Sequence, residues 1–218
     1  MGDGVVAHTP SSFTDGTPQL YRLSRRGEIV IPDYLWQLAA EGRLYIAGLG
    51  AEETAVDSAA ALDDQTPTFE LAAPASGTIV VPLYMAFHMK TDGGALTQAD
   101  ITYSLSGTGV AGTALDPKGL LSTEPRAAVA TVQHTMSAGT AQSDTNNTVI
   151  KHYEIMDAVL TTGAPMANGE TSIKWTPEYP IFLYQGGALL VYLYTTTSDS
   201  TWVPTIVWAE LDSSKFLE

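Results

Sequence analysis

The chain has no cysteine, which excludes disulfides, thiolate metal sites and cysteine nucleophiles. It is also poor in charge: Asp, Glu, Lys and Arg make up 16% of 218 residues, against 44% hydrophobic residues. There is ample apolar material for a core, and the surface must rely on Thr, Ser, Gln, Asn and Gly. Such a surface suits a protein packed against neighbours, because charged groups are depleted at interface centres. Cations are scarcest, 10 Lys and Arg against 24 Asp and Glu, for a net charge of −14. That balance argues against a chain whose main work is neutralising phosphates. The densest basic cluster, Arg22, Arg25 and Arg26, reads as solvated charge in a polar segment. Acidity of this size favours solubility and is compatible with a saline habitat. No apolar run approaches the length of a membrane span. Met1 leads into Gly-Asp-Gly, without the basic and apolar regions of a secretory signal.

Catalytic constellations are missing too. There is no G-x-S-x-G elbow. His8, His88, His134 and His152 have no partner at metal-binding spacing. His88 and His134 fall in expected strands and could meet across a sheet, but ordinary side chains on a polar face are the favoured reading. Gly107-Thr-Gly-Val-Ala-Gly112 matches G-x-G-x-x-G, but Pro117 and Gly119 interrupt the helix that a dinucleotide site requires. It reads as a loop. The pairs Glu52-Glu53 and Asp63-Asp64 offer oxygen ligands for calcium, with solvated loop charge as the alternative. Asn146-Asn147-Thr148 is a formal glycosylation sequon.

What is present is alternation. In Thr78–Lys90 every odd position is apolar: Ile79, Val81, Leu83, Met85, Phe87 and Met89. Period-2 patterning of this length predicts a strand with one face on a core. Further strands are expected at Thr68–Ala72, Asp100–Ser106, Ala127–Met136, Thr148–Thr161, Thr171–Trp175 continued by Ile181–Tyr184, Gly187–Thr197 and Trp202–Leu211. Thr148–Thr161 also fits a helical stripe through Val149, Tyr153, Met156 and Leu160; its β-branched ends favour a strand. Eight strands separated by turn residues predict an all-β antiparallel sandwich or barrel. The expected core is Ile79, Val81, Leu83, Met85, Phe87, Leu189, Val191 and Leu193.

Residues 1–65 read as an N-terminal extension to a domain spanning 66–218. Residues 1–27 are polar and aperiodic. Short elements follow: a strand Glu28–Ile31, a helical turn Tyr34–Ala40 between Asp33 and Gly42, a strand Arg43–Ala47, and an Ala-rich helix or loop Glu52–Leu62. Phe13, Tyr21, Tyr34, Trp36 and Tyr45 punctuate this extension as aromatic anchors. Gly187–Thr197 is apolar on both faces, with Leu190, Tyr192 and Tyr194 opposite Leu189, Val191 and Leu193. A strand apolar on both faces is buried on both, so the N-terminal segment or another subunit must cover it. Phe13, Tyr21, Tyr34, Trp36, Leu190, Tyr192 and Tyr194 are therefore the candidate interface residues. Aromatics crowd the last quarter of the chain, either as a sugar-stacking platform or as core and interface packing.

The run Pro67-Thr-Phe-Glu-Leu-Ala-Ala-Pro74, the turn at Ala75-Ser-Gly77, the long strand Thr78–Lys90 and the closing pair Gly187–Thr197 and Trp202–Leu211 resemble a viral jelly-roll capsid protein. The resemblance covers residues 66–211 as pattern. It implies an eight-stranded jelly-roll sandwich, the form taken by capsid and lectin domains. It further implies a non-enzymatic virion protein without cofactors, calcium at subunit contacts aside. Its partners would be copies of itself and other virion proteins, and its N-terminal arm would reach across subunits. A basic arm is missing, so direct nucleic-acid binding is not expected, and a virus whose shell encloses a membrane, or whose genome is packed by other proteins, fits better. The rival expectations are a carbohydrate-binding jelly roll and a jelly-roll glycoside hydrolase, whose facing carboxylates a sequence does not display.

Overall fold

The computed structural model of the chain describes residues 34–49, 55–91, 96–105, 111–121, 126–138, 144–155, 171–196 and 200–215. Twelve strands and one α-helix lie within these residues. The helix α1 is Tyr34–Ala40. The strands are β1 (Leu44–Gly48), β2 (Val56–Asp57), β3 (Phe69–Ala72), β4 (Thr78–Thr91), β5 (Thr97–Ser104), β6 (Thr113–Ala114), β7 (Lys118–Gly119), β8 (Thr131–His134), β9 (Asn147–Ile155), β10 (Ser172–Trp175), β11 (Ala188–Thr195) and β12 (Thr201–Asp212). They form two antiparallel sheets, one ordered β10-β4-β12-β1-β7 with β2 on β12, the other β6-β8-β3-β11-β5-β9.

The chain is thus an all-β antiparallel sandwich. Eight of the strands pair as one folded ribbon: β1 with β12, β3 with β11, β4 with β10, and β5 with β9. The strand expected at Thr171–Trp175 and Ile181–Tyr184 is interrupted as expected: β10 covers Ser172–Trp175, and the chain returns to β4 only at an isolated bridge. Trp175 stands opposite Met85, and Leu183 bridges Val80 further along β4. The strand expected over Ala127–Met136 contracts to Thr131–His134, and the helix over Tyr34–Ala40 forms as expected. Of Glu52–Leu62, the described part holds β2 and a bridge at Ala59, with no helix. Residues 1–33 (with Phe13, Tyr21 and the strand expected at Glu28–Ile31), Gly107–Val110 and the end of Thr148–Thr161 lie outside the described residues.

The core between the sheets takes Met85, Phe87 and Met89 from β4, Leu189, Val191 and Leu193 from β11, and Trp202, Ile206 and Trp208 from β12. Phe69 and Phe87 meet edge to face across it at 5.6 Å. Both buried indoles keep their N–H bonded: Trp202 donates to Ser200 Oγ at 2.6 Å and Trp208 to Glu210 Oε1 at 3.1 Å. That is the requirement for burying tryptophan.

Ile79, Val81 and Leu83 do not join this core. Val207 pairs with Tyr84 but Trp208 pairs with Pro82, so Leu83 is an extra residue in β4. A bulge of one residue reverses the faces beyond it. Val80 points into the sandwich. Ile79, Val81 and Leu83 point out, where they pack with Leu38 of α1, Leu44, Ala209 and Leu211. The bulge thus builds a second apolar layer on the outside of the first sheet. Leu83→Ala is accordingly expected to cost no more than about 1 kcal/mol, the transfer term of a half-buried side chain. Phe87→Ala is expected to cost about 3–5 kcal/mol. Urea unfolding of the two variants checks the contrast, and equal losses would place both side chains in one core.

Candidate interaction surface

The outer face of the first sheet carries an apolar groove. Its floor is Val81, Pro82, Leu83, Ala209 and Leu211. One wall is α1, whose Gly42 adopts a left-handed conformation (φ 66) just beyond the helix end. Arg43 N–H donates to Leu38 O at 2.9 Å there. Leu38 is the buried residue of α1, so the helix is pinned through it while Tyr34, Leu35 and Trp36 stay exposed, Trp36 at 78%. The other wall is the connection between β10 and Leu183, where Ile181 is buried in the core and Tyr179 and Phe182 stand exposed on either side of it. The cavity measures about 460 Å³. A second apolar cleft of about 400 Å³, lined by Tyr103, Ile150, Tyr179 and Phe182 among others, lies against the same segment.

Charge is nearly absent from this surface. Among the described residues lining the groove, Glu178 alone is charged, and it accepts from Lys151 Nζ at 3.2 Å. On a chain of net charge −14, the groove is therefore a place where another acidic molecule meets little local like charge. Four large exposed apolar side chains (Tyr34, Leu35, Tyr179 and Phe182) line it, and Trp36 stands exposed on the same helix outside the lining. Contiguous exposed apolar surface of this kind marks interaction sites.

The other expected interface residues are placed differently. Leu190 and Tyr192 lie on the outer face of the second sheet yet are buried, at 0% and 2% exposure. Ala72, Ala188 and Tyr194 pack with them. Burial near Asp64, Glu70 and Asp63 pushes the Tyr192 hydroxyl far above the usual phenol range. Tyr194 is half-buried and donates to Asp100 Oδ2 at 3.2 Å. Its pKa is pushed up to about 12, by burial first and then by the Asp100 charge. Of the crowded C-terminal aromatics, Trp175, Trp202 and Trp208 are core, and among the described ones only Tyr179 and Phe182 present their rings to solvent as large exposed groups.

The remaining sequence candidates do not converge. His88 lies on β4 of the first sheet and His134 on β8 of the second, so they do not meet. Burial lowers the pKa of His134, which contacts Thr135 Oγ1 at 2.9 Å. Asp63 accepts from Gln65 N at 3.0 Å in a local turn. Bonding to Thr66 and to that N–H lowers its pKa. Among the described residues no three His, Asp or Glu side chains are grouped to hold a metal, and no helix is long and apolar enough to cross a membrane.

The groove was not legible from sequence because its floor was assigned to the core. Pro82 was the available signal, since proline inside a central strand marks a bulge. No known protein-family model matches the chain, and no curated protein matches it in sequence.

Proposed function

We propose that this chain is a structural virion protein, a coat subunit that self-associates into a shell and performs no chemistry. The observation that carries the reading is the apolar, aromatic groove with a single charged lining residue on an otherwise strongly acidic molecule. The strand pairing supports it. In this reading β1, β3, β4, β5, β9, β10, β11 and β12 are the eight strands of a jelly roll and β2, β6, β7 and β8 are additions; the pairing of first with last, second with seventh, third with sixth and fourth with fifth is what supports it. Jelly rolls serve as capsid and lectin domains. A sugar site requires a few convergent polar groups beside its stacking rings, and the near absence of charge in the groove favours the capsid reading.

In this proposal Tyr34, Trp36, Tyr179 and Phe182 are packed by neighbouring copies or other virion proteins, and residues 1–33 provide further contacts. Nucleic acid is not contacted directly, and a membrane beneath the shell is compatible with the acidic surface. Light scattering and negative-stain microscopy of the purified protein test the reading. The wild type is expected to form large particles more readily as monovalent salt screens the −14 charge over about 8–10 Å. Trp36→Glu and Phe182→Glu are expected to remain folded and to stay small. A wild type that is folded and monomeric at every concentration would sink the proposal.

A further inference from the structure

The outer face of the second sheet carries a charged cluster that the shell reading does not use. β9 is the last strand of that sheet among the described residues, with β5 as its neighbour. None of its nine residues is fully buried. Its ladder slips by one residue where Ile101 pairs with Lys151 and Thr102 with Val149. Only Ile150, Tyr153 and Ile155 touch the core, and these are part-buried. An edge strand with so little burial belongs to the low-stability end of a structure.

Beside the ladder to β5, Lys151 and Tyr153 tie it to Glu178 and to Lys174 O at 3.2 and 3.1 Å, and His152 ties it across the outer face. Its Nδ1 lies 2.5 Å from Asp100 Oδ1 on β5, and its Nε2 lies 3.3 Å from Glu154 Oε1. Asp100 is nearly enclosed, with 9% of its side chain exposed. Tyr194 of β11 donates to its other oxygen. Gln98 of β5 donates to Glu154 Oε1 at 3.1 Å. The buried Tyr192 of β11 stands beside Asp100 in register.

A neutral imidazole has one N–H and one lone pair. Between two carboxylates, the lone pair must face an anionic oxygen. Only the imidazolium, with two N–H groups, satisfies both sides. We infer that His152 is a proton-operated clasp: charged, it bridges Asp100 and Glu154 and holds β9 on the sheet; neutral, it lets β9 loosen from β5. The hydrogen bond to Asp100, more than the Glu154 contact, raises its pKa against a smaller effect of burial. A group whose folded pKa is raised contributes stability in full below its ordinary value, near 6.5, and loses it as pH rises through the folded value. The clasp is therefore shut below the ordinary value near 6.5 and released as pH rises through the raised folded value, loosening β9 and baring the β5 edge, a ready template for strand pairing. The clasp stands whether or not copies assemble.

Hydrogen exchange of the full chain tests this. Opening of residues 147–155, corrected for the intrinsic pH dependence of exchange, is expected to rise about tenfold between roughly pH 6 and pH 8. The His152 ring resonances are expected to titrate with the same midpoint. In His152→Gln, exchange of β9 is expected to be fast and independent of pH. Should that variant not fold, Glu154→Gln serves, because it is exposed and removes one carboxylate. It should lower the ring titration and the opening midpoint together. Flat protection of β9 through the measured His152 titration, or midpoints that move apart in Glu154→Gln, would overturn the clasp.

Discussion

Deleting Leu83 is expected to leave the protein folded, whereas deleting Leu190 from an equally central strand is expected to abolish folding. The difference follows from the ladders. With Leu83 removed, Pro82 still faces Trp208, Tyr84 still faces Val207 and Met85 still faces Ile206, now in unbroken alternation. On the other side of β4 the ladder to β10 ends at Met85 with Trp175 and resumes at Val80 with Leu183. The connection between those two contacts takes up the change. The expected loss is about 1–2 kcal/mol, for one half-buried leucine and a local bend. In β11 no bulge is available: Ala188–Val191 pair in register with β3, and Ala188–Thr195 with β5. Deleting Leu190 slides one half of the strand by one position, turning either Leu189 or Val191 and Leu193 away from the core. Circular dichroism and urea titration of the two deletions decide. A cooperative transition for the Leu190 deletion, or none for the Leu83 deletion, would show that these registers are assigned wrongly.

Trp208→Ala is expected to cost about 3–5 kcal/mol, the range for emptying a buried tryptophan site. Trp208 is fully buried, stacks on Tyr45 at 5.8 Å and donates to Glu210. Glu210 is a buried carboxylate that also accepts from Val129 N at 3.0 Å and Ala130 N at 2.9 Å, tying the segment before β8 to the end of β12. Truncating the indole both opens a cavity and strips this carboxylate of a donor. Trp208→Phe separates the two effects. It keeps most of the ring and loses the hydrogen bond, worth about 1.5–3 kcal/mol when one partner is charged. If Trp208→Ala shifts the unfolding free energy by less than about 1 kcal/mol, the site is not packed as described.

Much of the architecture could be read before any coordinates. The helix at Tyr34–Ala40 was marked by Gly42 at its end, and the alternation in Gly187–Thr197 and Trp202–Leu211 placed two central strands within a residue or two. What misled was a local tie. Val80, Val81, Leu83 and Tyr84 are all apolar or aromatic, so period-2 counting runs through the bulge without registering a change of face. Pro82 alone broke the pattern. The burial of both faces of β11 was correctly anticipated, but the exposed ridge at Tyr179 and Phe182 was not singled out. It sits in a Pro-flanked connection, where periodicity carries no information. The His152 cluster was invisible for a different reason: Asp100 and His152 are brought side by side only by the β5–β9 register.

The ribbon pairing also governs how the chain is made. β12 lies between β4 and β1 in the middle of the first sheet, although β1 begins at Leu44 and β12 at Thr201. At a synthesis rate of about 5–20 residues per second, β1 waits roughly 8–30 s for the strand it must pair with. Until then β4 and β1, even with β10 and β7 on their other sides, each keep one open edge and have no direct contact to make with each other. Unpaired apolar edges are what chaperones hold and what aggregates recruit. Nascent chains stalled before Thr201 should therefore be protease-sensitive over β1 and β4 alike, and protection of both should arrive together once β12 has emerged.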